Sequence, residues 1–215
     1  LFVLIPHYRK NMKIDKNMII SVIGLGYVGL PLAIEFGKKY KTLGFDLNND
    51  RITDLKKFID KTGEVSKKHF ITSKNLYFTN DIFELKISNF IIVTVPTPIN
   101  KNFKPDFKYL KNASKLISKN IKKNDIVVYE STVYPGATEE VCIPIIEQNS
   151  GLIANKDFFY GYSPERINPG KSRYKLTNIK KIVSGSNKSS LKIIDKVYSS
   201  IIKAGTYKVS SVKIA

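Results

Sequence analysis

The chain has 215 residues, 42% of them apolar, enough for one or two domains with a proper core and too apolar for global disorder. Its formal net charge of +18 comes nearly all from lysines that are scattered, with no zinc-finger spacing, dense basic helix or RNA-binding aromatic signature, so it reads as a solvated surface rather than a nucleic-acid-binding face. The apolar start at residues 1–5 is too short for a signal-peptide core or a membrane span, and the single cysteine, Cys142, excludes an intrachain disulfide. A cytoplasmic chain with no membrane, nucleic-acid or metal partner is the resulting expectation.

Met12 and Met18 would make natural starts, so residues 1–17 are expected to form a poorly ordered leader. From Met18 a β-branched run ends at Ile23, three glycines follow at Gly24, Gly26 and Gly29, and a helical pattern begins. This is the strand, turn and helix start of a dinucleotide-binding unit. Gly24 allows the tight turn, Gly26 lets a pyrophosphate approach the backbone, and Gly29 lets helix and strand pack closely. The helix start offers free N–H groups and a positive dipole end to phosphates. Leu32, Ile34 and Phe36 on that helix are candidates for the core.

Residues 41–46 read as a second strand ending in a carboxylate. Asp46 lies 22 residues after Gly24, near the spacing expected of an acid that bonds an adenine ribose. A carboxylate there favours NAD over NADP, although Arg51 nearby is a residue type that can accommodate the extra phosphate of NADP. Asn48 to Asp50 cap a helix over 51–60, residues 61–68 form a polar loop, 76–78 a strand, and Asp81 starts a small helix. Residues 90–95 are a buried parallel strand stopped by Pro96 and Pro98, which places Thr97 at the ligand edge of the sheet, with a plain turn hydroxyl as the alternative. An amphipathic helix over 105–123 follows, with Leu110, Ala113, Ile117 and Ile121 on one stripe. Then come a strand at 125–130, a loop at 131–136, a helix at 137–148 that makes Cys142 a core residue, and a strand at 158–162. Strands at 181–184 and 206–209 flank a helix at 189–203, and residues 212–215 read as the first turn of a further helix. The alternation predicts an α/β doubly wound parallel sheet, Rossmann-like, with the start of a central helix at the C-terminus.

The runs GLGYVGLPLA (24–33), VPTPIN (95–100), YESTVYPGATEE (129–140) and GYSPERINPG (161–170) resemble the UDP-glucose/GDP-mannose dehydrogenase family of nucleotide-sugar 6-dehydrogenases. With LTNIKKIVSGS (176–186), the resemblance is greatest to the branch that oxidises UDP-N-acetylhexosamines to the uronates of surface polysaccharides. It covers residues 18–215. The reaction it implies is a double oxidation: NAD takes hydride from C6, a cysteine thiolate adds to the aldehyde, a second NAD takes hydride, and water cleaves the thioester.

The resemblance also implies roles. Tyr27 and Val28 contact the cofactor phosphates, Asp46 the adenine ribose, Arg51 the adenosine, and Thr97 and Thr132 the nicotinamide half. Thr132 and Glu165 match a pair that moves protons and positions water, and Arg166 and Ile167, with Glu165, match substrate contacts. A salt-bridged loop carboxylate is the alternative for Glu165. The family's GGHCIGVDPYY-like nucleophile segment and the lysine and asparagine of the helix before it are not among these residues. The expectation is therefore an NAD-binding domain at 18–210 that binds NAD without turnover, with 211–215 opening a central helix for homodimer contact. Three other readings stay open: a related β-hydroxyacid dehydrogenase, which does not account for SPERINPG, a truncated non-catalytic NAD-binding module, and a nucleic-acid binder driven by net charge.

Overall fold

A computed structural model of the protein describes residues 18–165 and 176–215. The expectations for the leader at 1–17 and for Arg166 and Ile167 lie outside the described residues. Strand β1 (Ile19–Ile23) leads through the glycine turn into helix α1 (Gly29–Gly37), followed by β2 (Lys41–Phe45), α2 (Asn49–Lys56), α3 (Lys67–Thr72), β3 (Leu76–Thr79) and β4 (Phe90–Val93). The second half contains α4 (Lys108–Ser118), β5 (Ile126–Tyr129), α5 (Ile143–Ser150), β6 (Phe159–Tyr162), β7 (Lys181–Val183), α6 (Lys188–Ser199) and β8 (Thr206–Lys208). Six strands form one sheet in the order β3-β2-β1-β4-β5-β6, every neighbouring pair parallel. This is the doubly wound α/β architecture expected from the alternating pattern.

Strands β4 and β5 are buried at every position, which is why they read as unbroken apolar runs. Their side chains alternate between two cores. Phe90, Ile92, Ile126 and Val128 join Leu30, Ile34 and Phe36 of α1 and Ile194 and Val197 of α6. Ile91, Val93, Val127 and Tyr129 join Leu110, Ala113 and Ile117 of α4 and Ile143 and Ile146 of α5. Chain order reverses direction in the sheet between β1 and β4, so a crevice opens beyond their carboxyl ends.

Several elements differ from the sequence-based expectation. Helix α2 stops at Lys56 rather than at 60, because Phe58 adopts a left-handed φ of 62° and Asp60 leaves the helix. The buried Asp60 carboxylate then accepts from Thr62 N–H (3.0 Å), Thr62 Oγ1 (2.7 Å), Glu64 N–H (2.9 Å), Val65 N–H (3.0 Å) and Arg51 Nη1 (2.8 Å). At the end of the expected polar loop, and running past it, α3 forms because Ser66 and His69 make a reciprocal cap. The expected helix at 105–123 is trimmed to Lys108–Ser118, and the one at 137–148 opens with a π-helical stretch, Thr138–Cys142. Strands β7 and β8 form a separate parallel pair instead of extending the main sheet. That pair is attached to β6 through Ser184 N–H to Tyr162 O (3.1 Å) and Ser186 N–H to Tyr160 O (2.7 Å). Residues 212–214 form a single turn.

Two outcomes test this frame. A Cβ on Gly29 would lie 1.8 Å from Gly24 O and 2.4 Å from Thr94 Oγ1, whereas one on Gly26 would meet nothing within 4 Å. Gly29→Ala is therefore expected to cost about 3 kcal/mol in urea denaturation, the overlap outweighing the ~1 kcal/mol gain in helix propensity, while Gly26→Ala stays within ~1 kcal/mol of the parent.

The second concerns Asp60. Burial raises its pKa, but the bonds from Thr62, Arg51 and Val65 outweigh it and hold the carboxyl below its ordinary value. A depressed carboxyl stabilises the fold above its unfolded pKa and loses that contribution as pH falls through the folded one. Asp60→Asn should cost about 2 kcal/mol at pH 7, and the gap to the parent should narrow below about pH 4. Denaturation midpoints at pH 7 and pH 3 would measure it; equal gaps at both would contradict the assignment.

Candidate functional site

The glycine turn is held in shape from outside. Gly24 takes a φ of 95°, a conformation that glycine adopts without the Cβ clash of other residues. The peptide units on either side of Leu25 are then gripped by charges. Leu25 N–H donates to Asp46 Oδ2 (2.8 Å), and Leu25 O accepts from Arg51 Nε (2.9 Å) and Nη2 (2.8 Å). Arg51 is in turn paired with Asp60 at 2.8 Å, its side chain only 12% exposed. A nearly buried guanidinium already engaged by Leu25 O and Asp60 has little left to offer a phosphate, so the reservation that Arg51 might favour NADP loses force. Asp46 sits just past the end of β2, its other oxygen accepting from Asn48 N–H (2.9 Å).

Past the turn, Gly26 and Tyr27 are exposed and Val28 is half-buried at the start of α1. The first N–H groups of a helix lack intrahelical partners, so α1 directs donors and its positive end into the crevice. The open space over Gly26 is what a diphosphate needs there. These features fit a dinucleotide: donors at the helix start, clearance at Gly26 and a carboxylate at the end of the second strand.

The loops after β4, β5 and β6 converge on this crevice, tied by side chains that donate to backbone oxygens. Thr97 Oγ1 donates to Thr132 O (2.6 Å), Ser131 Oγ to Val95 O (2.5 Å), and Tyr162 OH to Ser131 O (3.1 Å). Thr132 itself is exposed and Thr97 half-buried. The structure thus brings Thr97, Thr132 and Glu165 to the carboxyl edge of the sheet that also carries the glycine turn and Asp46.

Beneath the β6 loop lies a buried polar cluster. Lys181 Nζ meets Glu130 Oε2 at 2.6 Å and Glu165 Oε2 at 3.4 Å, and Tyr198 OH donates to Glu130 Oε1. Burial disfavours the Lys181 charge, but the two carboxylates outweigh it and raise its pKa, so the lysine stays protonated. Burial pushes Glu130 upward against the opposing pull of Lys181. Sequence reasoning missed Glu130, Lys181 and Tyr198. The one available signal was a carboxylate ending the apolar strand at 125–130.

Cys142 is buried beside Tyr129, and burial pushes its thiol up to about 11, so it is an inert core residue as expected from its apolar neighbours. Among the described residues no group of histidine, cysteine and carboxylate side chains could hold a metal ion, and no helix is long and apolar enough to cross a membrane.

Residues 18–202 match the family described as the UDP-glucose/GDP-mannose dehydrogenase family, NAD binding domain. The chain is 52% identical over 200 residues to a UDP-N-acetyl-D-glucosamine 6-dehydrogenase of Pseudomonas aeruginosa, covering 93% of this chain and 47% of that protein. It is 53% identical over 196 residues to a UDP-N-acetyl-D-glucosamine 6-dehydrogenase of Salmonella typhi, covering 91% of this chain and 46% of that protein. Its fold matches the solved UDP-D-ManNAc dehydrogenase of Pyrococcus horikoshii with a TM-score of 0.81 at 30% identity, over 91% of this chain and 47% of the other. The chain thus spans about half the length of these relatives. A match that begins just before β1 and ends just past α6 leaves one assignment: the chain belongs to the UDP-glucose/GDP-mannose dehydrogenase family and carries its NAD-binding domain.

Proposed function

We propose that the chain is the NAD-binding half of a UDP-N-acetylhexosamine 6-dehydrogenase, acting in the cytoplasm to form a UDP-N-acetylhexosaminuronate for surface polysaccharide. The observation that carries this reading is the tie between Thr97 and Thr132 at a sheet edge beside a glycine turn braced for a dinucleotide, with the loop that carries Glu165 leaving the same edge after β6. The similarity to two UDP-N-acetyl-D-glucosamine 6-dehydrogenases supports the choice of sugar.

In this reading Gly24, Gly26 and Gly29 shape the cradle, and the N–H groups of Tyr27 and Val28 meet the diphosphate. Asp46 accepts from the adenine ribose, and Arg51 keeps the turn in place beside it. Thr97 and Thr132 border the nicotinamide half. NAD supplies the hydride acceptor for both oxidations. Glu165 takes the proton released at the C6 oxygen, and with Thr132 it holds the water that completes the carboxylate. Summed over both steps, a primary alcohol, two NAD⁺ and one water give a carboxylate, two NADH and three protons. The remaining half of the enzyme supplies the thiol that traps the aldehyde, and the segment beginning near Ser211 leads into the helix through which two copies pair.

Titration calorimetry on the 215-residue chain should give binding of NAD⁺ well above that of NADP⁺. Asp46→Ala should weaken NAD⁺ at least tenfold, since a hydrogen bond to a charged acceptor contributes about 1.5–3 kcal/mol. Unchanged affinity would remove Asp46 from the cofactor site.

The full-length protein, given NAD⁺ and UDP-N-acetylglucosamine, should release two NADH per sugar, while the 215-residue chain alone should release none. A yield of one NADH per sugar, or steady turnover by the chain alone, would contradict the assignment.

A further inference from the structure

Lys181 is only 3% exposed, and a lysine buried to that degree is almost always paired. Its ammonium has three hydrogens and three acceptors: Glu130 Oε2 at 2.6 Å, Glu165 Oε2 at 3.4 Å and Pro164 O at 3.4 Å. Glu130 is satisfied at its other oxygen by Tyr198 OH. Glu130 and Tyr198 therefore seat the ammonium, and its two remaining hydrogens are directed at consecutive residues of the loop that follows β6. The geometry points to Lys181 as a positioning residue for Glu165, fixing where that carboxylate stands at the crevice edge. This rests on the reading of Glu165 as the proton-transfer residue.

An arrangement serving only the fold would not need this ion. Desolvating a lysine and a glutamate is costly enough that well-packed apolar residues of similar volume are often neutral or better for stability. Among the described residues, Lys181 of β7, Glu130 after β5, Tyr162 of β6 and Tyr198 of α6 face Glu165. Only Lys181 among them is a cation.

Removing Lys181 alone would strand Glu130 and can unfold the chain, so the comparison is made in a Glu130→Gln background, where the side-chain oxygen can accept from Lys181 and the amide nitrogen can donate to the Tyr198 hydroxyl oxygen. The carboxyl carbon of Glu165, identified by its loss in Glu165→Gln, is followed by ¹³C NMR at pH 7 in the 215-residue chain. Its resonance should move in E130Q/K181M and E130Q/K181Q relative to E130Q, and E130Q/K181R should follow E130Q. In the full-length protein the first two variants should lose about tenfold or more in kcat with KM for NAD⁺ unchanged, and the arginine variant should retain it. A Glu165 resonance and a kcat identical in E130Q and the folded double variants would overturn the positioning role. The NMR arm needs no turnover, so a full-length protein inactive on the UDP-sugar would refute the proposed function separately.

Discussion

The two peptide units flanking Leu25 are the point on which the rest of the site depends. The N–H is held by Asp46 and the carbonyl by Arg51, from two different elements, and Arg51 is itself steadied by the buried carboxylate of Asp60. A glycine turn has many accessible conformations, and the entropy of that freedom opposes ligand binding. Charge-assisted bonds on both sides remove most of it before any ligand arrives. The same bonds orient the first turn of α1, whose free N–H groups are useful only if they converge on one point.

The geometry of the crevice follows from that fixed turn together with the sheet order. Because β1 and β4 are neighbours with crossovers leading away on opposite faces, the loops after β1, β4 and β5 leave the same edge. Sheet order alone leaves such loops free to splay. Here Thr97 and Ser131 donate to carbonyls across the loops after β4 and β5, and Tyr162 at the end of β6 donates to Ser131 O, so these segments hold one another in place through hydrogen bonds that satisfy otherwise unpaired backbone groups. Thr132, the residue tied by its own carbonyl, is left with its side chain exposed.

Beneath the loops, Glu130, Lys181 and Tyr198 form a second polar layer. It reaches from the end of β5 to the detached β7 and the last helix of the fold. It links the main sheet to the two-stranded pair, which otherwise meets β6 through the Ser184 and Ser186 bonds. Once the pair is buried, a slip of one element against the other would leave a charge unpaired, at a cost of about 3–5 kcal/mol.

The sequence by itself determined the architecture and the position of the dinucleotide turn. Both are written in local patterns: unbroken apolar runs such as 90–93 for buried strands, the stripe of Leu110, Ala113 and Ile117 for a covering helix, and three glycines at fixed spacing. It also marked Asp46 and the three loops, because turn residues and strand ends carry local signals. Tertiary structure decided what those residues touch. Nothing local distinguishes Asp60 as a hub for backbone donors from the end of a helix, and only folding brings Arg51 to Leu25. Lys181 in a short β-branched run looks like any surface lysine until the fold places two glutamates beside it. Pairing between charges far apart in the chain has no sequence period, since it arises only when separate strands and helices meet in space.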